Sequence, residues 1–241
     1  MITLAIEAST YTGSVAVIRG GEVIAEDATA MRGEHEERLM PAVAEALHRV
    51  AVTPNAIDRI VCGAGPGSFT SLRIAGAIAK GLALTSGAPL HPVSSLLLMV
   101  AGERSSLAPG HYVAVLDAMR GDVFAAAFSL TDSAIAPISS TVLVARADLA
   151  AFVREHSARA IGPAETVAVF PHARGTAVLG TLDAWPEPVA LGAWEPNYGR
   201  LAEAQVKWEA AHGRALTPPA YEPVRTYVTR VREGRVEVLG E

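Results

Sequence analysis

The stretch best equipped for chemistry is Ala64-Gly65-Pro66-Gly67-Ser68-Phe69-Thr70-Ser71-Leu72-Arg73-Ile74, a glycine turn rich in hydroxyls. The apolar run Arg59-Ile60-Val61-Cys62 leads into it, and small and aliphatic residues at helical spacing follow from Thr70 to Thr85. Strand, glycine turn and helix, in that order, build ligand crevices at the carboxyl ends of strands in open α/β sheets. Gly65 and Gly67 permit backbone paths closed to side chains, and Pro66 stiffens the turn. Ser68 or Thr70 is placed to cap the helix by accepting a hydrogen bond from an orphan N–H. A P-loop requires G-x-x-x-x-G-K-[ST], but the two lysines, Lys80 and Lys207, follow Ala79 and Val206. A hydrolase nucleophile elbow requires glycine two before and two after its serine, where Ser68 has Pro66 and Thr70. Gly63-Ala64-Gly65-Pro66-Gly67-Ser68 opens like a dinucleotide fingerprint but lacks the last glycine, and 81 to 102 holds no acid to meet a ribose. Spacing alone leaves a tight turn or an anion-binding turn.

No other cluster competes with it. The seven histidines (35, 48, 91, 111, 156, 172 and 212) have no histidine partner at i+3 or i+4, and Glu34, His35 and Glu36 crowd into one turn, so no metal site is expected. Asp117 and Asp122 read as a turn with solvated acids. The single cysteine, Cys62, excludes an internal disulfide and reads as a small buried hydrophobe.

These residues must be positioned by a folded core. Half of the 241 residues are hydrophobic and 19% are charged, a globular rather than a disordered balance. The formal net charge is −5 and no basic run occurs, so a direct grip on nucleic acid is not expected. No apolar run reaches the length of a membrane span and no leader is evident, which points to a cytoplasmic protein.

Ile2-Thr3-Leu4-Ala5-Ile6 reads as a buried strand, Ser14 to Arg19 as a second, and Gly20-Gly21 as the hairpin turn into Glu22-Val23-Ile24-Ala25-Glu26. Glu34 to Val50 reads as an amphipathic helix with Leu39, Val43, Ala46, Leu47 and Val50 on one side and acids at Glu34, Glu36 and Glu37 suited to its N-terminal end; Pro41 must sit in the first turn or the helix begins near it. The second helix, with Ala75, Gly76, Ala77, Ala79, Gly81 and Ala83, is built for close approach, either to its own sheet or to another subunit. A linker at Gly102 to Gly110 opens a smaller lobe. There, Tyr112 to Leu116, Val123 to Phe128 and Val142 to Val144 read as strands, Leu130 to Ser140 as loop and Asp148 to His156 as a helix. Glu187 to Gly199 reads as a crossing segment, Leu201 to His212 as an amphipathic helix, and Leu216 to Arg235 as a docking or mobile tail. The expected division is 1–104, 105–215 and a tail at 216–241, and the two lobes could be a diverged duplication.

GPGSFTSLRIAGAIAKGLA resembles the signature of the TsaB (YeaZ) family of bacterial tRNA threonylcarbamoyladenosine synthesis. Ile6-Glu7-Ala8-Ser9-Thr10, Glu34-His35-Glu36-Glu37-Arg38-Leu39-Met40-Pro41, Asp117 to Phe124, and Pro223 with Tyr227-Val228-Thr229-Arg230 fall in that family's order. Ser71 and Ala75 stand where the family more often has glycine. The resemblance implies a two-lobed α/β protein of the RNase H-like, actin/Hsp70/sugar-kinase type. In that superfamily the first loop cradles ATP phosphates and an acid helps hold Mg²⁺. Here the acid would be Glu7, with Ser9, Thr10 and Ser14 as hydroxyl donors and Gly65, Gly67 and Ser68 as a residual anion loop. Ser9 replaces the usual glycine, and the second loop, Asp117-Ala118-Met119-Arg120-Gly121, is not glycine-rich. The metal-binding histidines of the catalytic relatives correspond to Ser95 and Met99.

The resemblance therefore implies a non-catalytic subunit with no cofactor of its own, apart from ATP or ADP at a subunit junction. Its partners would be a TsaD-type catalytic subunit and a TsaE-type ATPase, with a homodimer when alone and tRNA reached only indirectly. The interface would use His35, Arg38, Leu39, Val43 and Leu47 on the first helix and Leu72, Ile74, Ala75 and Ile78 on the second. An ATP-dependent small-molecule kinase and a peptidase are the readings from other classes.

Overall fold

The computed structural model describes residues 1–31, 38–181, 186–199, 211–213, 228–232 and 235–239. The first sheet is an antiparallel meander extended by two parallel strands. β1 (Ile2–Glu7) pairs with β2 (Thr12–Arg19), which pairs with β3 (Glu22–Ala30); β4 (Arg59–Gly63) lies parallel to β1, and β5 (Leu90–Val93) parallel to β4. The order β3-β2-β1-β4-β5 is that of an RNase H-like sheet. The Gly20-Gly21 turn takes positive φ at both residues, +59° and +93°, as a tight hairpin of this hand requires.

The second sheet repeats the plan. β6 (Gly110–Asp117) pairs antiparallel with β7 (Asp122–Leu130), whose far edge carries β8 (Ile135–Pro137) and β9 (Val142–Ala145), and β10 (Arg159–Ile161) returns parallel to β6. Both sheets are thus a meander followed by a parallel return. β8 lies where the sequence reads as loop, because a three-residue strand bounded by Pro137 carries no periodicity to detect.

Helices fill the layers. α1 (Leu39–Arg49) and α2 (Phe69–Ser86) cover the outer face of the first sheet, packing on Leu4, Val15, Val17 and Ile60. α3 (Ser95–Gly102) and α5 (Gly175–Thr181) lie between the two sheets, in one cluster that joins Ala5 and Val61 to Ala114 and Phe128. α4 (Leu149–Glu155) closes the outer face of the second sheet. The lobes thus share a core rather than meeting across a linker. α3 is apolar on nearly every side because it has a sheet on each.

The first helix begins at Leu39, with Pro41 in its first turn, where a missing N–H breaks no bond. The expected start of the helix at Glu34, with Glu36 and Glu37, lies outside the described residues, as do 201–210 of the late helix and most of the tail. Two tail strands, β11 (Val228–Arg232) and β12 (Arg235–Leu239), pair as a hairpin. The 186–199 strap, expected with the second lobe, returns to the first: Val189 N–H donates to the Leu90 carbonyl, and Trp194 packs among the residues around α2.

Leu39 is fully buried at the start of α1. Leu39→Ala is expected to cost about 2–5 kcal/mol and Leu39→Met less than about 1.5 kcal/mol, both read from urea unfolding midpoints. Equal stability of Leu39→Ala and the parent would contradict this packing.

Candidate functional site

Glu7 ends β1 with its carboxylate inside the protein, 1% exposed. Its Oε1 accepts the Ser9 N–H at 2.5 Å and its Oε2 accepts the Ser95 hydroxyl at 2.8 Å. Ser95 Oγ accepts in turn from the Gly65 N–H at 3.1 Å, and the Ser95 N–H donates to the Gly65 carbonyl at 2.9 Å. One carboxylate therefore ties together the first loop, the glycine turn and the start of α3. A Cβ at Gly63 would fall on that carboxylate, so only glycine fits there. Burial pushes the Glu7 pKa above the ordinary carboxylate value, and the hydrogen bonds from Ser9 and Ser95 pull it partly back. Burial, with the Glu7 charge beside it, also pushes the Cys62 thiol up and leaves it inert.

The expectation of Glu7 as a Mg²⁺ ligand is corrected: its oxygens face inward and are occupied. Ser14 is likewise internal, its Oγ accepting the Ala173 N–H at 3.0 Å and joining the lobes. Thr10 Oγ1 closes a local turn with Thr12. Ser9 is 3% exposed, and its side chain lies against the Glu7 carboxylate.

Gly65 (φ +87°) and Gly67 (φ +158°) carry the turn as expected. A Cβ at Gly65 would meet the Asn197 carbonyl of the strap, and one at Gly67 would meet the Ser9 backbone. Asn197 N–H donates to the Ala64 carbonyl at 2.7 Å, and Tyr198 stacks on Phe69 at 4.4 Å. Ser68 occupies the N-cap position of α2, but its hydroxyl bonds Ser71 Oγ at 3.0 Å instead of a backbone N–H, which corrects the capping expectation. The N–H groups of Phe69, Thr70 and Ser71 have no acceptor among the described residues. Among the described residues the Ser68 side chain is hydrogen-bonded to Ser71 and to no histidine or acid.

Between the lobes, beside this turn, lies a cleft of about 990 Å³. Its second-lobe wall is the β6–β7 connection, where Asp117 Oδ1 accepts the Met119 N–H at 2.9 Å. Met119 and Arg120 take left-handed φ values of +63° and +57° without being glycine. Among the described residues no three potential metal ligands come together.

The helix faces answer the interface expectation differently from the sequence. Leu39, Val43, Leu47, Leu72 and Ala75 point into the core, all 5% exposed or less. They cannot meet a partner in the folded chain. Ile74 and Ile78 are half-buried at the edge of α2, Arg38 is exposed, and His35 lies outside the described residues. The outward residues are others: Met40, Ala44 and His48 on α1, and Arg73, Ala77, Gly81 and Leu84 on α2, with Leu84 72% exposed. The signal was available in the helical phase, since Leu72, Ala75, Ala79, Leu82 and Ala83 recur at three- and four-residue steps and leave Ala77 and Leu84 opposite. The strap residues Trp194 to Tyr198 were missed as site residues; no periodicity marks an irregular segment.

The family model described as TsaD, tRNA N6-adenosine threonylcarbamoyltransferase, matches residues 22–170. A Bacillus subtilis protein described as tRNA threonylcarbamoyladenosine biosynthesis protein TsaB is 30% identical over 226 residues, 86% of this chain and 98% of its own length. The Escherichia coli protein of the same description is 35% identical over 56% of this chain and 58% of its own. Among solved structures, YeaZ from Pseudomonas aeruginosa superposes with a TM-score of 0.69 at 26% identity, over 81% of this chain and 98% of that one.

The buried carboxylate predicts a pH dependence. Because the folded-state pKa of Glu7 lies above its unfolded value, its contribution to stability is complete at low pH and is lost as pH rises through the folded pKa. Glu7→Gln keeps an acceptor for the Ser9 N–H and cannot ionise. Its stability relative to the parent is expected to improve as pH rises above the ordinary carboxylate range and to level off once pH passes the raised pKa, read from urea unfolding at each pH. A difference that does not change with pH would contradict the raised pKa.

Proposed function

Because the chain belongs to the TsaB (YeaZ) family of tRNA threonylcarbamoyladenosine biosynthesis proteins, we propose that it acts as the accessory subunit that binds and stabilises a TsaD-type transferase. The transferase would place threonylcarbamoyl on N6 of adenosine in tRNA. The observation that carries this reading is the outer face of α2. Ala77, Gly81 and Leu84 are exposed and, with the half-buried Ile74 and Ile78 beside them, form a stripe of small and apolar residues; Met40 and Ala44 are the exposed apolar residues of α1. Small side chains let a partner helix approach closely, and apolar ones gain by leaving water. The same patch would serve a homodimer when the partner is absent, since an isologous contact uses one surface twice. The net charge of −5 favours tRNA being held by the partner rather than by this chain. A TsaE-type ATPase completes the proposed assembly.

Light scattering after size exclusion, with and without the TsaD-type subunit of the same organism, tests the reading. The mixture is expected to give a heteromeric complex at the expense of any homodimer. Ala77→Glu and Leu84→Glu are expected to weaken that complex at least about tenfold while leaving the melting temperature within about 2 °C, because both residues are exposed. Absence of a complex under every nucleotide condition would remove the partner role and leave the fold standing.

A further inference from the structure

α2 carries two charges, and they are used differently. Lys80 is half-buried and committed to the strap, 3.4 Å from Glu195, with its ammonium over the Trp194 ring. Arg73 is exposed and pairs with no acid among the described residues. Its guanidinium lies over the Phe69 ring, 5.3 Å from the centroid and one turn back along the helix, the direction in which long helical side chains lean. Phe69 in turn is seated on Tyr198, whose hydroxyl donates to Glu195 at 3.0 Å. The strap therefore fixes the ring and the ring fixes the guanidinium. That arrangement keeps the arginine off the small residues that follow it, and a side chain already held loses less freedom on binding. No acid stands in the first turn of α2, so the helix itself does not offset the charge.

Helical phase decides what Arg73 must meet. Arg73, Ala77, Gly81 and Leu84 follow one another at three- and four-residue steps, one exposed line along the helix. A partner element packed on Ala77 and Gly81, at an interaxial distance of about 8–10 Å, also covers the residue one turn away. A guanidinium taken out of water without a counter-charge opposes association, whereas one met by a carboxylate across its two N–H edges favours it. Resting on the accessory-subunit reading of this face, we infer that Arg73 determines which partner α2 accepts, by pairing with an Asp or Glu carboxylate of the TsaD-type subunit. The acceptor belongs to a protein rather than to RNA. An apolar stripe offers nothing to a phosphate backbone, and a net charge of −5 repels one.

Calorimetric titration of the full chain with the TsaD-type subunit of the same organism, at low and at high NaCl, tests this. Arg73→Gln is expected to lower the affinity at least about tenfold and Arg73→Glu at least about a hundredfold. Arg73→Lys is expected to fall between the parent and Arg73→Gln, because an ammonium keeps the charge but not the planar fork. The parent's affinity is expected to fall with salt more steeply than that of Arg73→Gln. All three variants are expected to keep the melting temperature within about 2 °C, the position being exposed. Among Asp→Arg and Glu→Arg substitutions of the partner, one is expected to restore binding to Arg73→Glu while weakening binding to the parent. Affinities of Arg73→Gln and Arg73→Glu within about twofold of the parent, in a complex that Leu84→Glu still breaks, would overturn the pairing and leave the accessory role standing. Equal losses for all three Arg73 variants, with one salt slope, would make the arginine a packing residue and overturn it as well. So would binding of tRNA by the lone chain that Arg73→Gln abolishes, since the guanidinium would then serve a phosphate. Absence of any complex with the parent chain would remove both readings.

Discussion

The carboxylate of Glu7 is the constraint on which the first lobe depends. It sits where β1, the glycine turn and α3 converge, and each of its oxygens is occupied by a donor from a different segment. Removing such a group would leave the Ser9 N–H and the Ser95 hydroxyl buried without an acceptor, at about 1–3 kcal/mol for each unsatisfied group. The glycines follow from it. Gly63 is glycine because the carboxylate occupies the space of its Cβ, and Gly65 because its N–H must reach Ser95 while the strap crosses above it. A polar residue that sequence reasoning assigns to a ligand is thus a structural node, and the glycines around it serve the node as much as any ligand.

The strap extends that constraint to α2. Pro196 lies on Gly76, Lys80 reaches Glu195 at 3.4 Å, and Glu195 accepts the Tyr198 hydroxyl at 3.0 Å. The Lys80–Glu195 pair is partly exposed and worth little by itself. Trp194, buried against the α2 layer, supplies the apolar area that holds the segment down. One flank of α2 is therefore closed by the strap, one by the sheet and one by α1. Among the described residues, the side of α2 that carries Arg73, Ala77 and Leu84 is left outward.

Much of this was legible in the residues. The strand–turn–helix order around Gly65, the Gly20-Gly21 hairpin, a helix beginning near Pro41 and the strands β6, β7 and β9 of the second lobe follow from local rules about φ, missing N–H groups and apolar runs, and the structure keeps them. β10 and α5 were not legible, because three- and seven-residue elements hold too few turns of any period to stand out. Side-chain direction was legible only in part. Leu39, Val43, Leu72 and Ala75 have the types of an interface, but type does not say which side of a helix faces the sheet, and the most apolar stripe of a surface helix belongs to its own core. Glu7 failed for a related reason: a carboxylate at a strand end reads the same whether it faces solvent or the interior, and only the third dimension supplies Ser95.

What this leaves outward determines where function can reside. The polar groups of the first loop and the glycine turn are largely committed to one another: Glu7 to Ser9 and Ser95, Ser14 to Ala173, Ser68 to Ser71, Thr10 to Thr12. The bonds of Glu7 and Ser14 are buried, so those groups can change partners only by breaking buried hydrogen bonds, which makes them good supports for a surface. Among the described residues, α2 is held by the sheet, by the strap through Pro196 and Trp194, and by its contact with α1, so the stripe through Ala77 and Leu84 is a surface presented by a helix fixed on its other sides.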